Sequence, residues 1–90
     1  MTTNLFTVYD SAASAYLEPF YAPTIEYAIR QFRQTVNKAG HQFSQFPEDY
    51  TLFHIGEFDM STGIIKPNDG PVNIGVGITF VQQSPQLEVS

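Results

Sequence analysis

Apolar residues recur along this chain with two different periods, and the switch between them outlines a fold. Val72, Ile74, Val76, Ile78 and Phe80 alternate with Asn73, Gly75, Gly77 and Thr79, the period of two that a half-buried strand requires. A strand is predicted over Val72–Val81. Ile25, Ala28, Ile29, Phe32 and Val36 instead follow one another at steps of three, one, three and four, which places all five on one stripe at 100° per residue. That is a helix with one apolar face. Thr24 is its expected N-cap, Glu26 lies in the first turn where the dipole favours an anion, Lys38 lies near the end, and Gly40 marks the stop.

Leu5–Tyr9 is β-branched and aromatic, and Asp10-Ser11 after it can bond back to its own backbone, so a strand ends there in a turn. Ser14–Phe20 is a weaker extended stretch, either an edge strand or irregular because Pro19 cannot donate to a ladder, and Ser11-Ala12-Ala13 can join it to the first strand as a hairpin. Tyr50–Phe58 reads as a strand with Tyr50, Leu52, His54 and Phe58 on one face and Thr51, Phe53, Ile55 and Glu57 on the other. Both faces hold apolar residues. That pattern suits a central strand with the helix on one side and a second layer, or another subunit, on the other. Asp59–Gly63 reads as a turn in which Gly63 supplies a positive φ; Ile64–Lys66 returns, Pro67 stops it, and Pro67–Pro71 is a second punctuation. Gly75 and Gly77 leave the second face bare, which fits close approach of another backbone first, and otherwise a bulge or a nucleotide. His41–Phe46 reads as a connection anchored by Phe43 and Phe46. The expected architecture is therefore α+β, one amphipathic helix packed on a mainly antiparallel sheet of four to five strands, in a single domain over residues 1–81 with a flexible polar tail over 82–90.

Size and charge then narrow the function. A chain of 90 residues buries only about 60% of the surface its unfolded form exposes, and with no cysteine neither a disulfide framework nor a thiolate metal cage adds to so thin a core. Burial against a partner, most simply a homodimer, is expected. No apolar run approaches the ~20 residues of a membrane span, and the N-terminus lacks the basic start and apolar core of a signal peptide, so a cytosolic protein is expected. Nine acidic residues against four basic ones leave a net charge of −5, a field that opposes nucleic acid as a whole. Local arrangement can offset that field. Arg30, Arg33 and Lys38 fall close together, with Arg30 and Arg33 flanking the apolar stripe, although Glu26 is placed to pair with Arg30 at i,i+4. These three are the candidate phosphate contacts, and Tyr27, Phe43 and Phe46 are the candidate stacking partners for single-stranded bases. For Phe43 and Phe46 the other reading is a place under the loop as satellites of the core.

Catalytic chemistry is not signalled. His41, His54, Glu48, Asp49 and Asp59 show no convergent metal-ligand spacing, the serines sit in no nucleophile elbow, and no glycine loop suits a phosphate. No enzyme activity, metal or cofactor is expected.

A family likeness adds what spacing does not. Phe6-Thr7-Val8-Tyr9-Asp10-Ser11, Ala15-Tyr16 with Pro19-Phe20, Ala28-Ile29-Arg30 with Phe32, and His41-Gln42-Phe43 followed by Pro47-Glu48-Asp49-Tyr50, Leu52-Phe53, Gly56, Phe58-Asp59 and Thr62-Gly63 carry it. Over roughly Leu5 to Phe80 the chain resembles the small non-structural protein of gokushovirus-type microviruses, tailless bacteriophages with single-stranded DNA genomes. The resemblance implies an accessory role in viral DNA replication or packaging in the host bacterial cytoplasm, by single-stranded DNA binding or by contact with the replication machinery. An acidic protein-interaction module, host-directed or DNA-mimicking, and a minor virion component are the alternatives.

Overall fold

A computed structural model describes residues 1–82. The chain runs β1 (Thr2–Asp10), β2 (Ala15–Tyr16), β3 (Phe20–Ala22), α1 (Ile25–Val36), α2 (Gln42–Gln45), β4 (Tyr50–Asp59) and β5 (Ile65–Val76), with 3-10 turns at Pro47–Asp49 and Gly77–Phe80. All strand pairs are antiparallel. One edge of β1 takes β2 at Tyr9 and Asp10 and β3 at Asn4 to Phe6; its other edge takes β4, which in turn takes β5. This is the α+β architecture that the two periods imply, with one main helix on an antiparallel sheet.

Most of the local signals act where they were placed. Asp10 Oδ1 accepts from the backbone N–H groups of Ala12 and Ala13 and closes the first turn. Thr24 Oγ1 accepts from the Tyr27 N–H at 3.0 Å and caps α1, but the helix ends at Asn37, before the Gly40 expected to stop it, and Gly40 at φ +84° lies in the turn that follows. Gly63 has φ +76°, the left-handed region that a non-glycine residue enters only at a cost. Ala28, Phe32 and Val36 of α1 then pack on Phe6, Val8, Tyr50 and Leu52 of the sheet, with Ala22 and Phe43 closing the core.

Tertiary structure overrides the local pattern at four places. The extended stretch assigned to Ser14–Phe20 divides into β2 and β3, both on the same edge of β1, because Leu17 N–H turns to the Val8 carbonyl between them. His41–Phe46 is not a plain loop: His41 Nδ1 accepts from the Phe43 N–H and caps the short helix α2. β5 does not stop at Pro67 but passes through both prolines as an edge strand, where a missing N–H costs no ladder bond. Finally, the alternation of Val72–Val81 does not stay in one strand. β5 ends at Val76 and the chain turns in, because Gly77 lies against the backbone of the 3-10 turn Pro47–Asp49: a Cβ there would sit 2.6 Å from the Pro47 carbonyl oxygen. Gly75 makes the same room for the Phe80 ring. Of the tail assigned to 82–90, Gln82 donates its N–H to Asn37 Oδ1 at 2.8 Å, and the rest lies outside the described residues.

Candidate functional site

A slip in register decides which side chains share a face. β1 and β4 pair Phe6 with His54 and Leu5 with Gly56, so Ile55 is an extra residue on β4 and the alternation inverts across it. Phe58 therefore does not share a face with Tyr50, Leu52 and His54; it pairs with Thr3 and lies on the face of Leu5 and Thr7. On that face the paired positions are Thr3, Leu5, Thr7 and Tyr9 of β1, Thr51, Phe53, Gly56 and Phe58 of β4, with Tyr16, Tyr21, Ile65, Pro67, Asn73 and Val76 around them. None is Asp, Glu, Lys, Arg or His. Its rings form two groups: Tyr16 lies 4.7 Å from Tyr9 and 5.7 Å from Phe53, and Tyr21 lies 5.8 Å from Phe58. Tyr16 is 51% exposed and Tyr21 55%. The helix is packed on the opposite face.

The cations lie on that opposite, helical side. Arg30, Arg33 and Lys38 are exposed. The side-chain hydrogen bonds of this helix use Thr24, Thr35 and Asn37, and among the described residues none uses the side chains of Arg30, Arg33 or Lys38. The Arg33 guanidinium stands 5.4 Å from the centre of the Phe80 ring, a cation–π arrangement that already occupies one of its faces. Lys38 falls beyond the C-cap, and its carbonyl accepts from the Ser44 hydroxyl. Arg30 and Arg33, three residues apart, thus share one flank of α1, and Lys38 lies past its end.

The candidate stacking rings divide. Tyr27 and Phe46 are exposed, at 45% and 52%. Phe43 is not available. Its ring is packed 4.3 Å from Tyr50 and 5.9 Å from Phe32, so it is the satellite of the core and has no face to offer a base. The rings that cluster on the uncovered face are Tyr9, Tyr16, Phe53, Tyr21 and Phe58, none of which adjoins the cations in sequence. Their one signal in the sequence is that β4 is apolar on both faces.

Titratable groups are held by structure more than poised for chemistry. His54 bridges three strands: Nε2 donates to Asn4 Oδ1 at 3.1 Å, Nδ1 accepts from Asn68 Nδ2 at 3.1 Å, and the same amide nitrogen donates to the His54 carbonyl at 3.0 Å. The Asn4 amide passes the chain on to the Pro23 carbonyl at the start of α1. Burial pushes the Tyr50 phenol above its ordinary value of 10.0, with the Asp10 and Asp49 carboxylates adding to the rise. The Ser61 N–H, bonded to Asp59 Oδ1 at 2.8 Å, holds the Asp59 carboxyl below its ordinary value of 3.8, against a smaller opposing effect of burial. Among the described residues no group of three His, Cys, Asp or Glu side chains is placed to hold a metal ion. An apolar cavity of about 340 Å³ between α1 and β1 is lined by Val8, Phe20, Gln31, Phe32, Thr35 and Phe43, with no ionisable group in its wall. No helix of the described residues is long and apolar enough to cross a membrane.

Comparison with known proteins returns one family. The family model described as "Phage ORF5 protein" matches residues 3–80. No curated protein and no solved structure matches the chain.

Proposed function

The chain belongs to the Phage ORF5 protein family, and from that premise we propose that it is a non-catalytic accessory protein of phage genome replication and packaging that acts through protein contacts in the host cytoplasm. The observation that carries this reading is the separation of charge from rings. A site for single-stranded nucleic acid combines cations that track the backbone with aromatic platforms for the bases. Here the clustered open rings occupy the uncovered face of the sheet, whereas the arginines occupy the helix on the other side with Tyr27 as the one exposed ring of that helix. An acidic chain of net charge −5 then meets DNA with neither half of the site complete. The likeness to the small non-structural protein of gokushovirus-type microviruses supports the setting in replication and packaging.

Direct single-stranded DNA contact is the second reading, favoured by one observation: no side-chain hydrogen bond among the described residues engages Arg30 or Arg33, and Tyr27 is exposed on the same helix. Fluorescence anisotropy with a labelled single-stranded oligonucleotide, at about 50 and 200 mM salt, separates the two. The adaptor reading expects no binding at the lower salt, and partners captured from infected lysate that survive nuclease treatment. Binding that weakens with salt and is lost in Arg30→Ala with Arg33→Ala replaces it with the DNA reading.

A further inference from the structure

We propose that the uncovered face of the sheet is the seam on which a second copy of this chain docks. The proposal rests on the reading of the protein as an interaction module and names the partner of its open surface.

Charge selects the face. Two copies that each carry −5 repel wherever acidic groups meet, and the paired positions of this face hold no Asp, Glu, Lys, Arg or His. Two of the hydroxyls that stand on it are already satisfied. Thr3 Oγ1 donates to the Ala22 carbonyl at 3.1 Å and Thr7 Oγ1 to the Leu17 carbonyl at 2.7 Å, so both can lose their water without losing a hydrogen bond. At these two positions the face suits a protein seam, where a hydroxyl that loses its water must keep a partner.

Shape and size agree. The two ring groups border apolar depressions of about 250 Å³, between Tyr16, Ile55 and Pro71, and about 410 Å³, between Tyr21, Phe58 and Met60, into which aromatic side chains of a facing copy can insert. Four strand positions across at ~4.8 Å and nine residues of β1 at ~3.3 Å give a flat footprint of roughly 600 Å². Relief from the rings raises the accessible area toward the ~800 Å² per partner of a standard stable interface. A second copy presents the same patch, so one contact closes a two-fold pair and leaves both helices outward.

Sedimentation equilibrium of the full chain tests this. The wild type is expected at twice its 10.1 kDa chain mass, with association that does not weaken between about 50 and 500 mM salt because no charge pair holds the seam. Tyr16→Glu with Tyr21→Glu places carboxylates in the seam at two side chains that are more than half exposed. It is expected to weaken self-association at least about a hundredfold while circular dichroism stays unchanged. The milder Tyr16→Ser reports on the seam if the double variant misfolds. Arg33→Glu, on the helical side, leaves the dimer intact. A wild type that is monomeric at about 0.5 mM, or a dimer indifferent to both tyrosine variants, overturns the proposal. A monomer whose nuclease-resistant partner is lost in Tyr16→Glu with Tyr21→Glu overturns the second copy alone and leaves the adaptor reading standing.

Discussion

On one face of the sheet Phe6 and Leu52 are fully sealed under α1, whereas on the other Tyr16 and Tyr21, paired to the same β1, keep more than half their surface in water. The same strands supply both faces. What differs is the source of burial. Phe6 and Leu52 are covered from across a layer by Ala28, Phe32 and Val36. Leu5 and Thr7, at 5% and 4% exposure on the open side, are covered only by neighbours in the plane of the sheet and by the segment around Leu17. In-plane neighbours can shield a small residue at the centre but not themselves, so the rings that protect Leu5 remain the exposed part. A second layer is the missing element, and the chain does not provide one among its described residues.

The sharpest way to break this contrast is to truncate one ring on each face and compare unfolding in urea. Phe6→Ala removes a ring with no exposure, stacked 5.8 Å from Phe20, and is expected to cost ~3–5 kcal/mol. Tyr16→Ala, on the open face, should cost under ~1 kcal/mol in the isolated chain and more where copies associate. Equal costs would mean that the open face is sealed in solution by something else.

A second variant sharpens the role of the covered face as the stable one. His54→Leu keeps the packing against Phe6, 5.1 Å away, but leaves Asn4 Oδ1 without its donor and frees Asn68 from the ring. The expected loss is ~1–3 kcal/mol, read as a lower urea midpoint with unchanged mass in solution.

The smallest effects are in pH, and they fall on different parts of the molecule. Tyr50 belongs to the covered face, and its raised value means that the unfolded chain releases the phenol proton first. Stability is complete below the ordinary tyrosine value of 10.0 and falls as pH rises from there through the raised one. Asp59 sits in the turn leading to the open edge, and its lowered value works in the opposite sense: stability is present above 3.8 and is lost as pH falls through the lowered value. Thermal melts across both ranges check the two signs. Tyr50→Phe should flatten the alkaline limb, and Asp59→Asn the acid one.

Much of this was legible from residue order because it is local. The cap at Thr24, the Asp10 turn, the positive φ at Gly63 and the three-four spacing of α1 each depend on residues within one turn of each other. The candidate site was less legible. Arg30 and Arg33 do lie together on one flank of α1, but whether rings stand beside them depends on which face of a sheet each aromatic reaches. One extra residue, Ile55, reverses that for Phe58, and no propensity signals it. Residue order leaves Phe43 two readings, satellite of the core or stacking platform, and its contacts with Phe32 and Tyr50 settle it as core. The Val72–Phe80 alternation failed for a related reason: period two reports compatibility with a strand, while a close contact between Gly77 and Pro47, thirty residues away in sequence, turns the chain out of the sheet.

Residue order by itself determined α1, the strands around Leu5–Tyr9 and Tyr50–Phe58, the turns at Asp10 and Gly63, the net acidity and the two-sided apolar character of β4, since each follows from composition and spacing over a few residues. Only the folded chain decided that the two clusters of open rings lie on the side of the sheet opposite Arg30 and Arg33. That outcome depends on strand register and on the layer α1 chooses, which are set by packing between residues far apart in sequence.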